Sequence, residues 1–142
     1  MKKPTEGKHF LDTNVLVYAF GEHDVRREPA RKLLAEGCVV GVQNLNEFAA
    51  IATRKIRMGW EEILEALGAI LVLCGPPIAL TLDIHTNALK IAQRHDYHIF
   101  DLLIIAAAVE AGCRTLYSED LCHGQVIQGL TICNPFKHLR VG

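Results

Sequence analysis

Short β-branched runs alternate along the chain with longer segments whose apolar residues recur at helical spacing. This alternation restricts the possible folds more than any other feature. The runs are His9–Leu11, 38–42, 78–81, 114–118 and Leu130–Cys133. Between them the spacing predicts helices over Thr13–Phe20, 26–36, 43–57, 60–73, 82–94 and 100–110. Gly21, Gly37, the Gly75-Pro76-Pro77 triplet and Gly112 mark helix ends, and Pro29 sits in a first turn, where its missing N–H does no harm. Within 43–57, Leu45, Phe48, Ala49 and Ala52 form an apolar stripe. Segment 100–110 is apolar nearly all round and is expected to be a central buried helix. Strands that alternate with helices pair as a parallel sheet, which makes this an α/β fold. No internal repeat or Gly/Ser linker interrupts the 142 residues, so a single domain over 1–142 is expected.

Half of the residues are apolar and 22% are charged, a balance that builds a globular core without disulfides. The formal net charge of −1 argues against tight passive RNA binding, because neutralising phosphates with Lys and Arg supplies most of that affinity. It is compatible with an acidic metal pocket that offsets a basic rim. The five cysteines, Cys38, Cys74, Cys113, Cys122 and Cys133, include no CxxC pair, which excludes a zinc ribbon or a thioredoxin-like site. They suit a reducing, cytoplasmic setting. The basic start, Met1 to Lys3, is not followed by a signal-peptide core, because Asp12 and Asn14 interrupt the first apolar stretch. The longest apolar segment, 63–82, carries Glu65 and Pro76-Pro77, so no membrane span is expected.

Four acids stand out by position. Taken singly, each has an ordinary structural account. Asp12 precedes a helix and suits an N-cap, and Glu47 lies mid-helix opposite an apolar stripe, where a solvated Glu is unremarkable. Asp101 opens the most apolar helix, where an acid complements the dipole, and Asp120 suits a turn. Taken together they mean more. Asp12 and Asp120 follow predicted strands, Asp101 is at a helix start, and Glu47 is one turn into the helix after the second strand. In a parallel sheet all four converge on one edge, the edge where such folds gather ligands. Two unit charges ~4 Å apart cost roughly 4 kcal/mol at an effective dielectric near 20, so a cation must offset the cluster. Oxygen-only ligands select Mg²⁺ or Mn²⁺, and such ions serve phosphodiester hydrolysis.

At these residues the chain resembles the PIN-domain nucleases and, within them, the VapC-like toxins of bacterial and archaeal toxin–antitoxin pairs. The matching pieces begin with Phe10-Leu11-Asp12-Thr13-Asn14-Val15-Leu16-Val17-Tyr18 and Asn44-Leu45-Asn46-Glu47-Phe48. Phe100-Asp101-Leu102-Leu103-Ile104 and Leu116-Tyr117-Ser118-Glu119-Asp120-Leu121 follow. Gly124-Gln125-Val126-Ile127 and Asn134-Pro135-Phe136 look like the family's tail, so the resemblance spans about 9–136. It implies a three-layer α/β/α sandwich with a central parallel sheet and an acidic pocket for Mg²⁺ or Mn²⁺. Asp12, Glu47, Asp101 and Asp120 would be the metal-binding and catalytic acids, and Asn14 and Ser118 the polar residues that orient them. It further implies an endoribonuclease acting on RNA, a homodimer, and a small antitoxin partner. The first two helices and the helix from Trp60 are the expected contact surfaces. Phe100 and Leu102 depart from the family's frequent Trp and small residue around the third acid, which alters the rim where RNA enters. His9 is also unusual and is expected to reshape a strand edge.

Other signals are weaker. Arg54, Lys55 and Arg57 end the Glu47 helix, where they either complement its C-terminus or hold RNA phosphates. Arg26, Arg27, Arg31 and Lys32 are a similar cluster further from the acids. His95 and His98 read as solvated rather than as metal ligands, whereas His123 is close enough to Asp120 to touch substrate. No RNP-like aromatic pair is visible, so base stacking is not expected. Two other functions compete with the nuclease. A phosphotransferase with Asp12 as nucleophile lacks the second acid, because Asn14 stands in its place. A non-catalytic PIN-like module that binds RNA or protein would not need all four acids.

Overall fold

The computed structural model describes residues 3–139, so Met1 and Lys2 of the basic start lie outside the described residues. Three strands, β1 (His9–Leu11), β2 (Thr115–Tyr117) and β4 (Leu130–Cys133), form a parallel core in the order β1-β2-β4. A short edge strand, β3 (Val126–Ile127), joins β4 antiparallel. The sheet is therefore mixed at one edge, and the parallel arrangement read from the sequence holds for its centre. Gln128 and Gly129 turn the β3–β4 hairpin with φ of +49° and +84°, the positive values a tight primed turn requires.

The other predicted strands shrink to single bridges. Val39 pairs with Phe10, and Gly41 pairs with Ile78. Run 38–42 is divided between two partners and ends where α3 begins, so it never builds a full ladder. Run 78–81 is cut short because the Thr81 hydroxyl caps α5, accepting from the Ile84 N–H at 3.2 Å.

Among the described residues six helices flank the sheet: α1 (Thr13–Phe20), α2 (Arg27–Ala35), α3 (Val42–Ile51), α4 (Trp60–Cys74), α5 (Leu82–Ala92) and α6 (Ile99–Glu110). Successive strand residues point to opposite faces, and the two cores follow that alternation. Phe10, Val39, Leu116 and Ile132 pack with α5 and α6. Leu11, Cys38 and Val40 pack with α1, α2, α3 and α4. The result is three layers, helices on each side of the sheet. Helix α6 is buried continuously from Leu102 to Ala108, as its apolar composition predicts. The predicted helix over 43–57 is α-helical only to Ile51 and continues as a π-helical turn, Ala52–Ile56, ending at Arg57 with φ +57°. No helix among the described residues is long and apolar enough to cross a membrane.

Candidate active site

The carboxyl end of β1 delivers Asp12, which is 5% exposed and caps α1 by accepting from the Thr13 N–H at 2.7 Å. The capping role expected of a lone Asp here is thus real, and it uses only one oxygen. The other, Oδ2, accepts from the Ser118 hydroxyl at 2.7 Å and from the Asn14 amide at 3.4 Å. β2 is the neighbouring strand, and its end supplies Ser118 in full burial. Asn14 reaches across the two strand ends and donates to Asp120 Oδ2 at 3.1 Å, while its carbonyl accepts from the Glu119 N–H at 3.3 Å. Ser118 Oγ also accepts from the N–H groups of Asp120 and Leu121. Asp12, Asn14, Ser118 and Asp120 therefore form one hydrogen-bonded group.

Glu47 reaches that group through Thr13, whose hydroxyl donates to Glu47 Oε1 at 3.0 Å. Its second oxygen accepts from Gln43 one helical turn back, at 2.9 Å. Fully buried Asn44 sets the start of α3. It accepts from the Gly41 N–H at 2.8 Å and donates to the Leu11 carbonyl at 2.9 Å, which ties α3 to the strand carrying Asp12. Sequence reasoning missed Thr13, Gln43 and Asn44 as supporting residues. All three lie inside or beside the matched motifs, which mark the place but not the burial and bonding that give these residues their role.

Asp101, in the first turn of α6, shares a cleft of about 450 Å³ with Glu47, Arg54, His98 and Phe100. It makes no hydrogen bond to the other acids but interacts with them through charge. Burial raises the Asp12 carboxyl to about 6, against stabilising bonds from Ser118 and Thr13, and the Glu47 and Asp101 charges add to the rise. Asp101 is also raised, chiefly by burial and then by the Asp120 charge, while His98 pulls it down. All four acids therefore belong to one electrostatic group.

Among the described residues no three of His, Cys, Asp and Glu close on a common point tightly enough to enclose a metal by themselves. That is compatible with Mg²⁺, which is commonly held by one or two carboxylates with water completing its shell. The donors fit a hard divalent cation. They are all oxygens, and the buried Asp12 carboxylate lies near the Glu47 and Asp101 charges, which a divalent cation would offset.

The structure splits the basic cluster. Arg54 lines the cleft with Glu47 and Asp101, whereas Lys55 faces a separate hollow with Tyr18, His23 and Asp24. Arg57 is exposed at the end of the π turn and lines neither cleft. Arg26 is not a free phosphate ligand. Its guanidinium bonds both Glu119 oxygens, at 3.1 and 3.0 Å, and Asp24 at 2.9 Å, and it lies over the Tyr18 ring. Tyr18 also donates to Glu119 at 2.6 Å, so the Ser118–Asp120 loop is clamped from outside the acid group. His123 Nδ1 accepts from the Asn134 N–H, which occupies that nitrogen. His95 lies against Gln125, and His98 caps α6 beside Asp101, so the two histidines share no ligand site.

A PIN domain family model matches residues 9–123, most of the chain, and the protein belongs to the PIN domain family. Two solved structures share its fold. One is VapC20 of Mycobacterium tuberculosis, described as a sarcin–ricin loop cleaving toxin. It is 24% identical with a TM-score of 0.64, and the match covers 79% of this chain and 89% of that one. The other is VapBC2 of Rickettsia felis, solved bound to a DNA fragment from its promoter. It is 20% identical with a TM-score of 0.63, over 87% of this chain and 96% of that one. Among curated proteins none matches this sequence.

Proposed function

We propose that this chain is a metal-dependent endoribonuclease, a single cytoplasmic nuclease domain over 1–142 that hydrolyses RNA phosphodiester bonds at Asp12, Glu47, Asp101 and Asp120. The observation that carries this reading is the coupling of four acids at one sheet edge around a buried Asp12 whose carboxyl is pushed up to about 6. A buried carboxylate coupled to neighbouring like charges in a cleft marks a functional site. When bound, Mg²⁺ or Mn²⁺ would supply the charge that offsets the acids and the Lewis acidity that phosphodiester hydrolysis needs. Asp12, Glu47, Asp101 and Asp120 would hold it. Ser118, Asn14 and Thr13 fix the Asp12 oxygens, and Thr13 with Gln43 fixes those of Glu47. Such outer hydrogen bonds hold acids in place before substrate arrives. Arg54, in the same cleft, is placed to take a phosphate, while Lys55 and Arg57 would contact RNA only further along the strand.

The likeness to VapC20 and VapBC2 supports a further step, that the protein is the toxin of a toxin–antitoxin pair, a homodimer held inactive by a small antitoxin. The exposed apolar residues Trp60, Leu64 and Leu71 lie along one face of α4 and suit such contacts. Purified protein is expected to cut at least one member of a panel of structured and unstructured RNAs with Mn²⁺ or Mg²⁺, and none in chelator. Cutting that persists in chelator would contradict the metal dependence.

A further inference from the structure

Phe100 is 51% exposed, although the helix it opens is otherwise buried from Leu102 to Ala108. It belongs to neither hydrophobic core. Its ring instead packs on His98, with centroids 5.1 Å apart and planes tilted by 45°. His98 is fixed in turn, since its Nδ1 accepts from the Phe100 N–H at 3.3 Å. An aromatic pair is thus anchored at the N-terminus of α6, one residue from Asp101. The same cleft presents Glu47 and Asp101 as acids and Arg54 as a cation, over the apolar surface of Ala50 and Ile51.

Resting on the ribonuclease reading, we propose that the His98–Phe100 pair is a stacking platform for an unpaired nucleobase beside the scissile phosphate. Acids that act on a phosphodiester, a guanidinium that pairs with phosphate and an exposed aromatic face together match the three parts of a nucleotide chain. A base within a duplex is stacked on both faces and cannot take such a platform, whereas loops and single strands offer splayed bases to Phe and His. Stacking tolerates any base, so the platform selects for unpaired structure more than for sequence. No RNP-like pair was visible in the sequence because these two rings are brought into contact by a helix start rather than by paired strands.

The test uses a single-stranded hexaribonucleotide carrying one 2-aminopurine, titrated with the wild-type chain in chelator so that it is not cut. Stacking on the platform is expected to quench its fluorescence. Phe100→Ala should abolish most of the quenching and weaken binding about tenfold, the order typical of one lost base–aromatic stack. Phe100→Trp should retain both, and thermal unfolding shows whether each variant is folded. The same probe annealed into a duplex should gain no further quenching. Quenching unchanged in folded Phe100→Ala, or no binding of the probe by wild type, overturns the platform. Metal-dependent cleavage with Phe100-independent quenching removes the platform and leaves the nuclease. Phe100-dependent quenching without cleavage of any RNA removes the nuclease and leaves a binding platform.

Discussion

Asp12 has two roles that oppose each other. As the cap of α1 it stabilises the helix, but as a buried carboxylate near Glu47 and Asp101 it carries a charge the fold penalises. Its carboxyl is raised from 3.8 to about 6, so the folded chain holds a proton that the unfolded chain releases between those values. Metal-free stability therefore falls as pH rises through that window, by about 3 kcal/mol from this group alone. Asp12→Asn removes the titration. In urea denaturation with chelator, the stability difference between variant and wild type should shift in the variant's favour by about 2 kcal/mol from about pH 4 to about pH 7. A difference that is flat with pH would contradict the raised carboxyl. The four acids were visible in the sequence because each has a topological address, a strand end or a first helical turn. Asn44 and Thr13 were not, since their value comes from burial between elements. Arg26 was grouped with Arg27, Arg31 and Lys32 as a basic cluster, and its bond to Glu119 was not legible because that partner lies far along the chain.

Helix α6 supplies both the centre of the core and the placement of Asp101. Ile105 on it is fully buried, so Ile105→Ala should cost about 2–5 kcal/mol in denaturant unfolding. A loss below about 1 kcal/mol would mean that the site collapses around the change. Most helix limits were legible because Gly and Pro punctuate them, and α1 and β4 occupy the predicted residues. The edge elements were not. Val126–Ile127 is too short to show alternation, and Gln128-Gly129 is a weaker turn signal than Asn-Gly. The π turn at Ala52–Ile56 also left no periodic trace, yet it carries Arg54 into the cleft and Lys55 into another.

On the scale of the molecule, a net charge of −1 is the sum of an acidic sheet edge and cations spread elsewhere, so it says little about the local field at the cleft. The exposed stripe Trp60, Leu64 and Leu71 on α4 is the feature a proposed dimer or antitoxin complex would cover. Trp60→Glu with Leu64→Glu should shift a dimer to monomer in light scattering while circular dichroism shows the fold intact. An unchanged mass would place the interface elsewhere. The layered fold was readable from the alternation of strands and helices, but which helix face stays open was not, because exposure depends on where neighbouring helices end.

If the coupled acids cut RNA with a divalent cation, removing the charge of one of them should stop the reaction. The most direct test is single-turnover cleavage, by wild type and Asp101→Asn side by side, of an RNA that the wild type cuts in Mn²⁺. Asp101→Asn is expected to lose at least a thousandfold in rate, about 4 kcal/mol of transition-state stabilisation, with the fold intact by circular dichroism. Cleavage by folded Asp101→Asn at the wild-type rate would contradict it.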